Sequence, residues 1–412
     1  MRVLIILLKL TVIYSFNFNI SDRANIIKSI LTRYKSNLRY KREIDDSGES
    51  FAKNAVIFFK ETERFGEFLQ VYNVSVCPHS DFKNDTYYIK RHILHGLITD
   101  PEVPDNHWRE YKSVFNKSYL SSSHESSAQS AWLDNLEWVA RHNQNYLRGS
   151  QTYSLHLNPL GDLHPTEYMK TLLKLIKTLH LPDPNEDKRK RTYYERRTLK
   201  IPKHVDWREL GYKPKREEQW HCGACYAFAV AHALQAQMFK KHRKWNELSP
   251  QQIVDCSGVD GNLGCEGGSL RATLRYIARE GLQSELEYPY FGLRGRCRYN
   301  ARRIKARPHR WAMLPPGNEW AMEKAVATIG PLAIGINAAP RSFQLYRSGI
   351  YDDPLCTPFS VNHAMLVVGY TPEYWILLNW WGKRWGENGY MRIRRGFNRC
   401  GVANMAAYVD IE

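Results

Sequence analysis

The sequence predicts an α+β protein whose main domain has a helical half and a β-rich half that meet at a cleft. Two helical stretches come first in that domain: Ala224–Lys240, which is rich in alanine, and Leu270–Glu280, which Gly281 ends. Four apolar runs bounded by Gly, Pro and Asn follow and predict strands at Leu332–Ile336, Ala364–Tyr370, Tyr374–Asn379 and Gly389–Arg394. Helices grouped before strands within one block indicate the α+β class.

Size and composition exclude several classes of protein. A chain of 412 residues allows two or three domains, and 43% hydrophobic residues supply a buried core, which excludes wholesale disorder. Only 25 Gly and 19 Pro exclude a collagen-like fibre. The net charge of +17 suggests an anionic partner. However, the basic run at 302–310 has no aromatic stacking platform, so we interpret it as a solvated face and expect no nucleic-acid partner.

Residues 1–16 are typical of a secretory signal peptide. Arg2 precedes a short apolar stretch that Lys9 interrupts, and this stretch is too short to span a bilayer. The alternative is a buried or interfacial N-terminal segment. We therefore expect a protein of the secretory pathway that does not span the membrane. Secretion would make three N-glycosylation sequons usable, at Asn73, Asn84 and Asn116.

Charge and breaker residues divide the remaining chain into four segments. These are an N-terminal extension of unknown role (17–104), a helical domain (105–180), a basic linker (181–200) and the α+β domain (201–412). The linker contains Pro, is dense in charge and is almost free of aliphatic residues. Such a run is either a solvated face or a processing site, and its position between two structured blocks favours the processing site.

The helical domain shows an amphipathic pattern. Apolar and amide side chains recur at spacings of three and four at Trp132, Leu136, Val139 and Asn143. A second apolar helix is predicted over Thr166–Leu179.

Cysteines are concentrated in the second half of the chain, with seven of the eight in the last 191 residues. An oxidising compartment would pair six of those seven and leave one thiol. Cys222 and Cys225 flank Gly-Ala just before the alanine-rich stretch, which fits a zinc site, a redox pair, or a disulfide cysteine followed by a reactive thiol. No second ligand pair supports zinc, and no βαβ neighbourhood supports a redox pair. A helix N-terminus favours the thiolate, so Cys225 is the candidate nucleophile.

A nucleophile of this kind needs a base and a group that orients the base. His363 leads into a predicted strand 138 residues after Cys225, and Asn379 ends another strand 154 residues after it. Alone, a histidine on an apolar strand is more often a core residue. Together with the motif Cys-Gly-Ala-Cys-Tyr at 222–226, this order resembles the papain family of cysteine proteases. The resemblance runs from about residue 106 to the C-terminus.

The resemblance implies a role for each matching residue. Cys225 would attack the peptide carbonyl as a thiolate paired with protonated His363, which then gives its proton to the leaving amine. Asn379 would orient the imidazole. The Gln219 side chain and the backbone N–H of Cys225 would donate hydrogen bonds to the oxyanion. Trp381 would shield the Asn379–His363 pair from water.

The resemblance also implies a substrate cleft and a disulfide pattern. Gly267 and Gly268 would bind the backbone of an extended peptide. Leu270, Ala364 and Met405 would line an apolar specificity pocket. The implied disulfides are Cys222–Cys265, Cys256–Cys297 and Cys356–Cys400, which leave Cys225 free.

Three positions depart from the family pattern, which usually has Gly at Trp220, Ser at Trp380 and Trp at Tyr226. Trp220 is expected to crowd the cleft or tilt Gln219, and Trp380 to narrow the leaving-group side. Neither change removes a reacting group, so we expect activity with altered specificity.

The 105–180 domain resembles the family's inhibitory propeptide in its cathepsin L-like form. The matching positions are Trp132, Asn135, Val139, Asn143, Asn158 and Asp162. Such a segment runs through the cleft in reverse and blocks it until the linker is cut, here near residues 199–201. Protonation of carboxylates at acidic pH would favour its release.

These expectations give a papain-like two-subdomain fold preceded by a helical inhibitory propeptide. The function they imply is that of a cysteine endopeptidase zymogen, lysosomal or extracellular, with no cofactor or metal. Its partners would be protein or peptide substrates, its own propeptide and cystatin-type inhibitors, and it would be a monomer. The alternative is a catalytically weak binding or regulatory protein that keeps the protease fold.

Overall fold

The structure, a computed structural model, describes residues 103–177, 200–244 and 246–411. The expected signal peptide, residues 17–102 of the extension, Asn73 and Asn84 and almost all of the linker lie outside these residues. Within the described part of the chain, no helix is long and apolar enough to cross a membrane.

The N-terminal part of the described chain is mainly helical. Its elements are α1 (Val103–Val114), α2 (Ser122–Leu147), β1 (Tyr153–Leu155) and α3 (Pro165–Leu172). Helix α2 begins where the Ser121 side chain accepts a hydrogen bond from the backbone N–H of His124. The predicted stripe faces inward at Trp132, Val139 and Asn143, whereas Leu136 is only partly buried.

Two buried polar residues organise this part. Asp162 accepts hydrogen bonds from Tyr111 (3.0 Å) and Tyr119 (2.8 Å) and pairs with Lys117 at 2.8 Å. Asn143 on α2 bonds both backbone groups of Leu155, at 2.8 and 2.9 Å, and so fixes β1 against the helix. These bonds satisfy polar groups that would otherwise be buried without partners.

The helix predicted over Thr166–Leu179 is shorter in the structure. Helix α3 starts at Pro165 and ends at Leu172, because Leu173 leaves the helical region with φ −99° and ψ 78°. Residues 173–177 are extended and pair with Gly268, so tertiary hydrogen bonds replace helical ones there. Residues 178 and 179 lie outside the described part.

The α+β domain begins with β2 (Val205–Asp206) and three helices: α4 (Cys225–His242), α5 (Pro250–Cys256) and α6 (Leu270–Glu280). Helix α4 is buried on nearly every side, which its small alanine side chains allow. Helix α6 ends as predicted at Gly281, whose φ of 75° suits glycine.

The C-terminal half is a twisted sheet with two further helices. Its elements are β3 (Arg310–Met313), α7 (Glu319–Thr328), β4 (Leu332–Ile336), α8 (Arg341–Gln344), β5 (Tyr346–Tyr351), β6 (His363–Tyr370), β7 (Tyr374–Leu378), β8 (Tyr390–Arg394) and β9 (Met405–Asp410). The described strands order as β1-β5-β8-β7-β6-β4-β9-β3, with β2 on β6. Helix α4 packs against β6 and β4, and the side chain of its first residue, Cys225, lies at the backbone N–H of Ala364, the second residue of β6.

Strand β1 extends this sheet by pairing antiparallel with β5, with Tyr153 opposite Gly349 and Leu155 opposite Tyr346. Side chains add to the attachment: Asn158 donates to the Gln344 carbonyl at 2.8 Å, and Arg341 donates to Asn135 at 2.6 Å. The N-terminal part is therefore bound to the β-rich half through backbone and side-chain hydrogen bonds.

We predict that Trp132→Ala destabilises the N-terminal part by about 3–5 kcal/mol, because it empties a fully buried aromatic site. Leu133→Ala is the matched control, since the neighbouring Leu133 is 38% exposed and should cost far less. Denaturant unfolding of the full chain measures both changes. Equal losses for the two variants would contradict the packing described.

Candidate active site

The thiol of Cys225 lies at the first residue of α4 and is the free cysteine of the described residues. The turn before it is fixed by the Cys222–Cys265 disulfide and by a 2.9 Å hydrogen bond from the Gly223 N–H to the Cys265 carbonyl. Two further disulfides join Cys256 to Cys297 and Cys356 to Cys400, the pairing that the resemblance implied.

His363 begins β6 and is fully buried. Its Nε2–H donates to the Asn379 Oδ1 at 2.8 Å, which leaves Nδ1 to accept a proton. Nδ1 is buried with no hydrogen-bond partner among the described residues. The indole of Trp381 stacks on the imidazole with ring centroids 4.8 Å apart. This stacking keeps solvent from the His363–Asn379 bond.

Gln219 is buried beside the thiol turn, and its Nε2–H donates to the Cys222 carbonyl at 2.9 Å. The same nitrogen lies 3.4 Å from the Leu172 carbonyl. The Gln219 backbone N–H donates to the Trp380 carbonyl at 2.9 Å, so the strand-like segment with Gln219 pairs with the segment after Asn379.

The extended residues after α3 lie across the thiol. The Gly268 N–H donates to the Lys174 carbonyl at 3.2 Å, and the Ile176 N–H donates to the Gly268 carbonyl at 2.8 Å. On the other side, the Leu175 N–H donates to the Asn362 carbonyl at 2.9 Å. Gly267 has φ 116° and lies against the Lys174 carbonyl, where a Cβ would not fit. We call residues 172–177 the plug.

An apolar pocket receives the side chain of Leu175. Three side chains meet at Gly335, which has no Cβ of its own. A Cβ placed on Gly335 would lie 2.9 Å from the Leu175 Cδ2, 2.7 Å from the Val361 Cγ1 and 3.1 Å from the Met405 Cβ. Of the residues predicted to line a pocket, Met405 is therefore beside Leu175. Leu270 and Ala364 are both fully buried, on α6 and β6.

Burial beneath the plug shifts the pKa values of the two reacting groups. It raises the pKa of the Cys225 thiol to about 12, although the backbone N–H groups of Ala364, Tyr226 and Lys174 partly offset the effect. It lowers the pKa of His363 to about 4, against the opposing effect of the Asn379 hydrogen bond. Burial therefore disfavours the charged form of both groups while the plug is in place.

The three departures from the family pattern are accommodated without loss of a reacting group. Trp220 adopts φ 49°, a conformation that suits the glycine usual there, and its half-exposed ring contacts Tyr290 with centroids 5.5 Å apart. It lies at the surface while Gln219 keeps its buried hydrogen bonds. The Tyr226 hydroxyl donates to the Gly264 carbonyl at 3.0 Å.

The prediction that Trp380 narrows the leaving-group side is wrong, because the structure buries this side chain completely. Its ring stacks on Phe228 and His232 of α4, with centroids 5.5 and 4.7 Å apart. Its Nε1–H donates to the Ala364 carbonyl at 2.9 Å, one residue after His363. Trp380 thus joins the helix of the thiol to the strand of the imidazole.

Sequence reasoning missed two groups of the site. The sequence predicts a helix for the plug residues Lys174 and Leu175, although the apolar–charged–apolar order at Leu173, Lys174 and Leu175 is also compatible with an extended segment. The carbonyl of Asn362 also binds the plug, and no side-chain pattern predicts a backbone acceptor. Asn116, the sequon within the described residues, is exposed in the turn after α1.

A segment of the chain itself fills the peptide-binding groove above the thiol, so fold and site define the precursor of a thiol-dependent peptide-cleaving enzyme. The sequence model described as "Papain family cysteine protease" matches residues 201–410, and "Cathepsin propeptide inhibitor domain (I29)" matches 108–168. The chain belongs to the papain family of cysteine proteases and is a cysteine protease zymogen with its own inhibitory propeptide.

Individual relatives and a solved structure support this family assignment. The chain is 38% identical to cathepsin S of Bos taurus over 76% of this chain and 94% of the relative, and 37% identical to cathepsin L of Sarcophaga peregrina over 77% and 96%. Digestive procathepsin L 3 of Tenebrio molitor larval midgut superposes with a TM-score of 0.68 at 32% identity, covering 75% of this chain and 99% of that structure.

We predict that alkylation of Cys225 at pH 7 accelerates about 1000-fold or more when the propeptide is removed. Removal exposes the thiol to water and brings its pKa from about 12 toward or below the usual value near 8.5, which raises the thiolate fraction. Iodoacetamide labelling followed by mass spectrometry of the Cys225 peptide separates this thiol from Cys77. Cys225→Ser supplies the blank, and equal labelling rates with and without the propeptide would refute the prediction.

A second prediction concerns Trp380. Trp380→Ser should destabilise the chain by about 3–5 kcal/mol, since it removes a fully buried ring that stacks on α4. Trp380→Phe keeps an aromatic ring but removes the indole hydrogen bond to the Ala364 carbonyl, so we expect a smaller loss of about 1–3 kcal/mol. Urea unfolding of the full chain measures both. A serine variant no less stable than the phenylalanine variant would argue against this packing role.

Proposed function

We propose that the mature enzyme cleaves peptide bonds with Cys225 as nucleophile and His363 as acid and base. The thiolate sulfur forms a bond to the carbonyl carbon, and the carbonyl oxygen becomes an oxyanion that accepts from Gln219 and the Cys225 N–H. The C–N bond then breaks as His363 gives its proton to the amine. In the second half, His363 removes a proton from water, which attacks the thioester, and Cys225 leaves as the thiolate.

The observation that carries this proposal is the position of the plug. The Lys174 N–H reaches the Cys225 sulfur, and the Leu172 carbonyl lies 3.4 Å from the Gln219 amide. A peptide backbone thus already occupies the groups that a substrate would need. Asn379 and Trp381 support the proposed role of His363, since one bonds its Nε2–H and the other stacks on its ring.

The proposed substrates are extended peptides with an apolar side chain two residues before the cut. Leu175 supports this preference, because Gly268 bonds the residues on both sides of it while its side chain enters the pocket of Val361 and Met405. The side chains that lie beside Leu175 at Gly335, those of Val361 and Met405, are apolar, and an apolar lining disfavours a basic residue there.

The proposed compartment is the lysosome or the extracellular space, reached through the secretory pathway. Three disulfides support an oxidising route of folding, and exposed Asn116 is available for N-glycosylation. We further propose a monomer that cystatin-type inhibitors can block once the cleft is open.

The proposed activation is cleavage within the 181–200 linker at acidic pH. Inside the propeptide, the hydrogen bond from Lys112 holds the pKa of the Glu125 carboxyl below its usual value. A carboxyl with a lowered pKa contributes stability that is lost as the pH falls, so protonation of Glu125 at low pH removes this pair and weakens the propeptide.

We predict that the purified zymogen held at about pH 4–5, where carboxylates titrate, converts to a fragment starting near Ile201. N-terminal sequencing identifies the product, and an epoxysuccinyl peptide should then label Cys225. Cys225→Ala is the control and should stay at full length under the same conditions.

The result separates the proposal from its alternative. A processed chain whose Cys225 does not react with the epoxysuccinyl peptide would support a binding or regulatory protein that keeps the protease fold. Conversion of Cys225→Ala at the rate of the unaltered chain would show that another protease makes the cut.

A further inference from the structure

His232 lies on α4 two turns after Cys225 and is almost completely buried, with 1% of its surface exposed. At this spacing the two side chains emerge from the same face of the helix. The reaction described above uses Cys225 but gives His232 no role. A titratable side chain is thus buried on the active-site helix without an assigned function.

The imidazole of His232 contacts two residues outside α4. Its Nε2 lies 2.7 Å from the Glu217 Oε2, and the Glu217 side chain is itself only 11% exposed. Its ring stacks on Trp380, with centroids 4.7 Å apart and an interplanar angle of 24°. The imidazole therefore joins α4 both to a buried carboxylate and to the residue after Asn379.

A third contact fixes which ring nitrogen carries the proton. The Gln235 Oε1 accepts from the Leu248 N–H at 3.1 Å, so the amide nitrogen of Gln235 is the atom that faces the His232 Nδ1, at 3.5 Å. An amide nitrogen can only donate, and Nδ1 therefore accepts. The proton on Nε2 is then the one that His232 donates to the Glu217 carboxylate.

Glu217 and Gln219 belong to the same extended segment. This segment pairs antiparallel with residues 380–382 through two backbone hydrogen bonds, of 2.9 Å at Gln219 and 3.1 Å at Glu217. Side chains two residues apart in an extended segment point to the same face, so Glu217 and Gln219 both face α4. The carboxylate that His232 bonds is therefore at one end of the segment whose other end carries the oxyanion donor.

We propose that His232 is a positioning residue for the oxyanion donor Gln219. Its bond to Glu217 and its stack on Trp380 hold both paired segments against α4, the helix that carries the nucleophile. An oxyanion donor is effective only when it lies at the place that the oxyanion will occupy, so a fixed distance between this segment and α4 matters for the reaction. The inference rests on the proposed function and adds a residue that acts on it without touching the substrate.

The expected effect is on the transition state. Displacing a reacting group by about 1 Å costs up to about 100-fold in rate, so His232→Ala should lower kcat for peptide amides by about 10- to 100-fold. KM should change little, because the bond to the oxyanion exists only in the transition state. Alkylation of the Cys225 thiol by iodoacetamide creates no oxyanion, and its rate should stay unchanged.

The test measures both reactions on the acid-activated enzyme, with a fluorogenic peptide amide and with iodoacetamide. Gln237→Ala is the matched control, because it also removes a buried polar side chain of α4, but one whose amide bonds the Ile329 carbonyl at 3.1 Å. It should leave both rates near those of the unaltered enzyme. His232→Phe keeps a ring on Trp380 and loses the bond to Glu217, so it replaces the alanine variant if that one does not fold, with an expected loss in kcat of about tenfold.

A double-mutant cycle assigns the effect to Gln219. In a Gln219→Ala background the donor is already absent, so His232→Ala should cause little further loss of hydrolysis. Full multiplication of the two losses would overturn the inference, and so would alkylation that slows in parallel with hydrolysis or an equal loss of kcat in Gln237→Ala. An unaltered enzyme that hydrolyses no peptide amide would instead count against the proposed protease function.

Discussion

The packing of α4 against β6 is the contact on which the rest of the structure depends. It places the Cys225 thiol, at the start of α4, beside the backbone N–H of Ala364, the residue after His363 in β6, although these residues are far apart in the sequence. Trp380 lies within this interface, stacks on α4 and bonds the Ala364 carbonyl of β6. Its backbone carbonyl also accepts from Gln219. The buried side chain therefore fixes the helix against the strand, and the backbone of the same residue holds Gln219. The family's usual serine could not make these stacking contacts.

The propeptide inhibits by using the groups that would serve a substrate. Gly268 bonds the plug on both sides of Leu175, and the Leu172 carbonyl approaches Gln219. Occupation of the cleft also removes water from the thiol and the imidazole, which disfavours the charged form of both. The plug therefore fills the site and at the same time makes the thiolate harder to form. Both effects depend on the same segment of chain.

The sequence predicted those elements whose residues combine a strong pattern with full burial. Helix α6 and strand β4 have the predicted bounds, and α4, β6, β7 and β8 lie within two residues of theirs. Strands β3 and β9 were missed because Ala and Met, weak strand formers, are paired there by the sheet itself. The sequence predicts a helix over the plug because the spacing of its leucines fits both a helix and a strand. The hydrogen bonds of the plug to Gly268 and Asn362 select the extended conformation. The ordered spacing of Cys225, His363 and Asn379 predicted the candidate site, but no pattern could predict that Trp380 would be buried.

The pairing of β1 with β5 consists of hydrogen bonds that do not depend on the covalent link between propeptide and enzyme. Cutting the linker breaks one peptide bond but none of the hydrogen bonds that hold β1, Asn158 and the plug to the enzyme. Before the cut, the propeptide competes for the cleft at the high effective concentration of a tethered segment; afterwards it is a free molecule whose occupancy depends on its bulk concentration. Activity would then depend on dilution as well as on cleavage. A crowded compartment would keep the enzyme inhibited by its own detached propeptide, and dispersal or degradation of that fragment would set the moment of full activity.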